Sequence, residues 1–244
     1  QGYVHRLDGG RDQRQSASFG AAYTRQDAQG NAPLQGLVRY EWAQDHGQTN
    51  RDRQLLQTGL KGKYNQNITL FTDLYWGHTR NRDTGAIEAR NNQFNLGFAY
   101  RPVLHDRLNL IGKYSWIDEQ KPANQSSNSG LTALKGHVVS TDMLYELNSQ
   151  WSLGGRLAIR KAREAWGGLP MAENIMRLMA LNARYYFIPE TWLNAEYRVL
   201  DARLSHDRKD GLVVELGKRF NNHIEAALGY NWAGYSADLV DLDY

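Results

Sequence analysis

The sequence predicts an all-β fold, namely an antiparallel up-and-down transmembrane β-barrel of about 12–14 strands, with short periplasmic turns and long extracellular loops. Three observations lead to this prediction. Apolar and polar residues alternate in about a dozen segments, and many of these end in an aromatic residue, as 108–116 and 224–232 do. The links between segments alternate between short and long, and tryptophan and tyrosine gather at the segment ends.

The alternating segments give the expected strands. They are 3–8, 16–25, 34–43, 54–64, 68–78, 92–101, 107–117, 134–147, 151–162, 175–187, 192–204, 211–220 and 223–235. In most of them, one face is apolar and the other polar. Leu157 and Ile159 share a face, for example, whereas Arg156 and Arg160 lie opposite. Trp192 is one residue out of phase with its segment, which suggests a bulge.

The links sort by length. Short links are expected at 65–67, 148–150, 188–191 and 221–222, with a slightly longer one at 102–106. Long polar links are expected near 44–53, 79–91, 118–133, 163–174 and 205–210. Only the early link 27–33 departs from this alternation, because it is long where a short turn is expected. Barrels in outer membranes place short turns on the periplasmic side and long loops outside.

Aromatic residues mark the two ends of the expected strands. Rings with one polar edge are favoured at the boundary between lipid and water, so we assign these residues to two interfacial girdles. The predicted girdle residues are Trp42, Tyr64, Trp76, Tyr100, Trp116, Tyr145, Trp151, Phe187, Trp192, Phe220 and Trp232. Trp166 is expected in a loop instead.

Composition narrows the class of protein. The 244 residues fit a single barrel domain, 1–244, and no apolar run is long enough for a transmembrane helix. A net charge of +3 with interspersed signs offers no basic patch for nucleic acid, and cysteine is absent. The first residues, 1–6, lack the apolar core of a signal peptide, so we expect a mature or excised form.

The strand pattern, loop alternation and girdles resemble those of Gram-negative outer-membrane β-barrel proteins over nearly the whole chain. The segment from Leu228 to Tyr244 resembles the penultimate strand and loop of barrels at the C-terminus of large surface proteins. This resemblance implies an outer-membrane location. It also implies one further strand, since bacterial barrels usually have an even strand number; that strand either follows Tyr244 in a longer chain or is supplied by another segment that closes the barrel. It does not choose a subfamily.

With the apolar face toward lipid, the polar face lines the interior. The predicted pore-lining residues are Arg39, Glu41, Lys61, Asp73, Lys113, Asp142, Arg156, Arg160, Arg184, Glu196, Arg198 and Glu215. Such charges can pair across a lumen, set a transverse field that orients solutes, or only pair with neighbours along a wetted wall.

Catalytic and metal motifs are weak. His137, Ser140 and Asp142 form the nearest approach to a hydrolase triad, but His137 and Ser140 have opposite strand parity. The loop acids show no motif and are expected to be solvated; they are Asp45, Asp52, Asp83, Asp118 and Glu119. The tail acids Asp238, Asp241 and Asp243 favour a polar loop over a calcium site. We therefore expect no catalytic residue, no metal and no cofactor.

These observations favour a passive pore or passage for hydrophilic solutes or a secreted polymer. A membrane anchor or translocation barrel of a larger surface protein is the main alternative, and an outer-membrane hydrolase or a soluble β-sandwich are weaker ones. The expected partners are membrane lipid and lipopolysaccharide, together with a missing strand or passenger domain of the same protein or of another chain. A loop at 165–170 with Trp166 and Leu169 could enter the lumen, contact a partner or be purely structural.

Overall fold

The described residues form one antiparallel sheet. The computed structural model describes residues 2–7, 10–27, 33–47, 50–121, 131–166, 169–203, 207–220 and 224–232. The sheet has 13 strands in chain order, so that each strand pairs with its neighbours along the chain. The strands are β1 (Gly2–Leu7), β2 (Gly10–Arg25), β3 (Leu34–His46), β4 (Arg51–Lys63), β5 (Ile68–Asn81), β6 (Ile87–Tyr100), β7 (Leu108–Gln120), β8 (Leu131–Glu146), β9 (Trp151–Trp166), β10 (Ala172–Ile188), β11 (Thr191–Ala202), β12 (Asp207–Arg219) and β13 (Glu225–Trp232). Within these ranges, no helix is long and apolar enough to cross a membrane.

The predicted all-β, up-and-down architecture is confirmed, and each alternating segment corresponds to one strand. Most strands are longer than predicted at the end that carries the long links. β4 begins at Arg51, β5 continues to Asn81 and β9 continues to Trp166. These extensions carry polar residues on both faces, so the alternation that predicts a strand disappears while the backbone pairing continues. Trp166, expected in a loop, therefore ends β9 opposite Leu131.

In two short turns, an asparagine side chain accepts hydrogen bonds from the backbone of its own turn. In the link between β4 and β5, the side-chain oxygen of Asn65 accepts hydrogen bonds from the backbone N–H groups of Asn67 and Ile68. In the link between β8 and β9, Asn148 does the same for Gln150 and Trp151. A side chain that satisfies its own turn backbone explains why these links are short.

The link between β10 and β11 contains only Pro189 and Glu190. Glu190 has a φ of 62°, and a register shift lies beside it, between Tyr186 and Ile188. The bulge suggested by the phase of Trp192 is therefore on the preceding strand rather than on its own.

Some predictions concern residues outside the described ranges. These are most of the loop at 118–133, the short link at 221–222, the centre of the loop at 165–170 and the tail acids Asp238, Asp241 and Asp243. Among the described residues, β1 pairs only with β2 and β13 only with β12, so the described sheet is not closed.

Candidate functional site: the inner face of the sheet

The two faces of the sheet have opposite polarity. One face, here called the outer face, carries exposed apolar side chains such as Leu96, Leu157 and Ile159, which are 51%, 55% and 55% exposed. The opposite face, here called the inner face, contains buried polar residues beside a small buried apolar cluster around Val138. Asn95 and Ser115 are 7% and 2% exposed and are joined by a hydrogen bond of 2.7 Å that the serine hydroxyl donates. This inversion is expected when the medium around the protein is lipid.

All predicted pore-lining residues lie on the inner face. Their cross-strand partners follow one register from β3 to β12 that connects them with Asn95 and Ser115. These residues are Arg39, Glu41, Lys61, Asp73, Lys113, Asp142, Arg156, Arg160, Arg184, Glu196, Arg198 and Glu215. Strand parity was thus sufficient to assign the face of each.

The inner charges pair along the wall. Arg156 Nε lies 2.5 Å from Asp142 Oδ1 on the neighbouring strand, and Arg39 Nη2 lies 3.2 Å from Glu41 Oε2. Arg198 likewise pairs with Glu196, two residues away on the same strand. These contacts favour pairing between neighbouring residues on the wall over pairing across a lumen or a transverse field.

A second group of charges lies on the inner face beyond the outer aromatic residues. Asp45 accepts from Arg14 at 2.5 Å and from Arg53 at 2.8 Å. Partial burial raises the pKa of Asp45, but the hydrogen bond from Arg14 and the charge of Arg53 lower it by more, so the pKa lies below its usual value. Asp45 falls in a predicted loop but lies on β3, and its parity with Glu41 is the sequence signal that assigns it to the inner face.

Glu88 is held similarly. Its carboxylate accepts a hydrogen bond of 2.8 Å from the Asn81 amide and pairs with Arg51. The hydrogen bond from Asn81 is the main reason that the pKa of Glu88 lies below its usual value. These pairs hold the ends of β2 to β6 together where no apolar face is available.

The predicted girdle residues lie on the outer face, with one exception. Toward the short turns are Tyr64, Tyr100, Tyr145, Trp151, Phe187 and Phe220, and toward the long links are Trp42, Trp76, Trp116 and Trp232. Trp151 stacks on Tyr185 with ring centroids 4.6 Å apart. The two groups bound an apolar belt, as interfacial aromatics do.

Trp192 is the exception, and its assignment to the girdle was wrong. It is 4% exposed and lies on the inner face, opposite Tyr186. The Arg184 guanidinium lies 5.4 Å from its ring centroid, and its indole nitrogen donates to Glu215 at 3.5 Å. A Cβ atom at Gly217 would overlap the indole, so the ring occupies space that only this glycine leaves.

The nearest approach to a catalytic triad is separated by the sheet. His137 lies on the outer face, where its Nδ1 is 2.8 Å from the Tyr114 hydroxyl. Ser140 and Asp142 line a cavity on the inner face. A general base cannot reach a nucleophile through the sheet, so this trio forms no hydrolase site.

The acids expected in loops mostly belong to strands. Asp45, Asp52, Asp118 and Glu119 lie on β3, β4 and β7, whereas Asp83 lies in a turn. Asp118 is 7% exposed and accepts from Arg90 at 2.9 Å. Across the described ranges, no group of three or more potential ligands could hold a metal ion.

The inner face of β7 to β11 contains a cavity of about 680 Å³. Four basic side chains and two acidic ones line it, and between them lie apolar residues. The charged residues are Lys113, Arg156, Arg160, Arg198, Asp142 and Glu196. The main apolar ones are Ile111, Val138, Leu144, Leu178, Ala180 and Leu200.

Solved structures share this architecture. FauA, the alcaligin outer-membrane receptor of Bordetella pertussis, matches with a TM-score of 0.52 and 13% identity over 91% of this chain and 41% of the receptor. The chain therefore spans less than half the length of that receptor. The chain has the fold of an outer-membrane β-barrel protein.

Two further neighbours are also outer-membrane proteins or their homologues. OmpT, an outer membrane protein of Vibrio cholerae, matches with a TM-score of 0.48 and 10% identity over 95% of this chain and 90% of that protein. A Pseudomonas aeruginosa FadL homologue matches with a TM-score of 0.44 and 12% identity over 92% of this chain and 81% of that one. No protein-family model and no curated protein matches the sequence. The match to the receptor confirms the predicted outer-membrane β-barrel fold.

Proposed function

We propose that this barrel forms a passive aqueous passage through the outer membrane for small hydrophilic solutes. The observation that carries the proposal is the series of charged side chains on the inner face from β3 to β12, in a sheet whose opposite face is apolar. A wall of paired charges lowers the cost of moving a hydrated solute through lipid, and its local excess of one sign biases which solutes pass.

Adjacent residues on β8 provide a direct test. Ser140 lies on the inner face and Thr141 on the outer face, and the chain has no cysteine of its own. We expect single-channel currents in planar bilayers, and we expect a charged, membrane-impermeant thiol reagent to reduce the current of Ser140→Cys. The same reagent should leave the matched control Thr141→Cys unchanged, because that side chain faces lipid. Absence of current, or equal modification of both variants, would contradict the passage.

The main alternative is a membrane anchor or translocation barrel of a larger surface protein. Its supporting observation is that the described sheet has two edges, at β1 and β13. Unpaired backbone groups are costly in lipid, so both edges require partners, whether from the same protein or from another chain. A barrel filled by such a segment would carry no current and would protect Ser140→Cys from the reagent, which distinguishes it from an open passage.

We also propose that lipopolysaccharide contacts the outer face just beyond the apolar belt. Lys135 lies directly opposite Arg163, and His137 directly opposite Lys161. The positive charges of Lys135 and Arg163 repel each other in this direct cross-strand pair, and anionic headgroups would relieve this repulsion. Two acids neutralise only part of the charge of the three basic side chains: Asp118 lies 4.0 Å from Lys135, and Glu173 lies 3.5 Å from Lys161.

A further inference from the structure

The inner cavity of β7 to β11 departs from the uniformly polar wall that the sequence predicts. Ala158, Leu178 and Leu200 are direct cross-strand partners, so they form an apolar row across three strands of the inner face. Val138, which is 8% exposed, lies one row away. Apolar side chains here cannot serve contact with lipid, because the lipid is on the other side of the sheet.

Two arginines border this apolar row on one side. Arg156 and Arg198 are the two cross-strand neighbours of Ala180, so their Cα atoms are about 10 Å apart across two strand spacings. The small Ala180 side chain leaves room between them. Each arginine has a carboxylate neighbour, Asp142 or Glu196, but a guanidinium carries five N–H donors and can bind a second carboxylate.

The remaining charges also favour an anion. Lys113 and Arg160 complete a set of four basic side chains on the cavity wall, against the two acids of the wall and the buried Glu164, which pairs with Arg160. An inorganic anion would use the arginines and leave the leucines in water, whereas a neutral hydrophobe would use the leucines and leave the arginines unused. A ligand with both an anionic group and an apolar body satisfies both halves of the cavity.

We propose that this cavity binds small organic carboxylates with an apolar body. The carboxylate lies between Arg156 and Arg198, and the body packs on Leu178, Leu200 and Val138. This inference rests on the proposed passage, because it names the class of solute that would be retained along it.

Isothermal titration with octanoate, using the protein in lipid nanodiscs and empty nanodiscs as the blank, tests the site. We expect saturable binding of octanoate. Acetate, which lacks the apolar body, and octyltrimethylammonium, which lacks the carboxylate, should each bind more weakly, by about tenfold or more. Arg198→Gln and Leu178→Asn should each weaken octanoate binding by about tenfold. If either variant fails to fold, Arg198→Lys and Leu178→Ala replace it, with the same direction expected.

Arg39→Gln is the matched control. Arg39 pairs with Glu41 two residues away on the inner face, as Arg198 pairs with Glu196, but it lies on β3 outside the cavity. Octanoate binding should survive this change. Equal binding of acetate and octanoate, equal loss in Arg39→Gln, or no effect of the leucine change would overturn the inference. Currents without octanoate binding would overturn the inference alone, whereas octanoate binding without currents would overturn the passage alone.

Discussion

At the scale of the residue, the position of the Trp192 indole requires that residue 217 is a glycine, with no Cβ atom. The ring lies in the space above Gly217, between Arg184 and Glu215. The sequence shows that Trp192 is out of phase, but the glycine that receives it is 25 residues away, and only the register between β11 and β12 brings the two together.

Gly217→Ala should therefore destabilise the folded barrel by about 1–3 kcal/mol, because the new Cβ atom overlaps the Trp192 ring. Urea-dependent unfolding in lipid vesicles measures this change. Gly155→Ala is the control, since a Cβ there meets no atom closer than the Leu181 side chain at 3.4 Å. Equal stability of the two variants would show that Trp192 is not packed against Gly217.

The pairing of the charged residues likewise depends on the register between strands, which the sequence does not show. Strand parity places Arg156 and Asp142 on the inner face, because alternation is a local property of each strand. Their pairing depends on which residue of β8 lies opposite which residue of β9, and that register follows from the turn at Asn148 and the packing of both faces.

At the scale of the element, β9 shows how strictly the two faces differ. Leu157 is on the outer face within the apolar belt, and its neighbour Ala158 lines the inner cavity. Leu157→Arg should lower the free energy of unfolding in vesicles by about 2–4 kcal/mol, because a charge at this depth meets hydrocarbon. Ala158→Arg, which adds the same charge on the wet side, should cost clearly less. A similar loss in both would mean that the faces have been assigned wrongly.

Strand existence could be predicted from the sequence, but strand ends could not. β6 begins at Ile87, although alternation becomes visible only from 92 onward. Between these positions, Glu88 and Arg90 hold the strand through ion pairs with Arg51 and Asp118, not through an apolar face. Hydrophobic periodicity therefore identifies the part of each strand within the apolar belt, but not the polar extension beyond it.

At the scale of the whole molecule, the basic residues beyond the apolar belt are proposed to contact lipopolysaccharide, which would assign this end of the barrel to the extracellular side. Replacing Lys135 and Arg163 with glutamate should weaken binding of diphosphorylated lipid A by about tenfold or more, because charge-assisted contacts to phosphate are replaced by repulsion. Lipid-dependent rise in unfolding temperature provides the measurement. Lys218→Glu, an exposed basic residue on the outer face near the short turns, is the control and should keep this rise. Loss of the rise in the control as well would indicate a general charge effect.

The strict order of neighbours in the sheet also bears on how the chain assembles. Every described pairing joins strands adjacent in sequence, so each new hairpin closes a short loop and adds to an edge that already exists. Loop-closure entropy is small for such steps, which is unusual for an all-β protein, where distant pairings normally slow folding. The costly event is confined to the two outermost strands, whose union would join the most distant parts of the chain. This topology therefore favours assembly by successive addition of strands, with pairing of the two outermost strands as a late step.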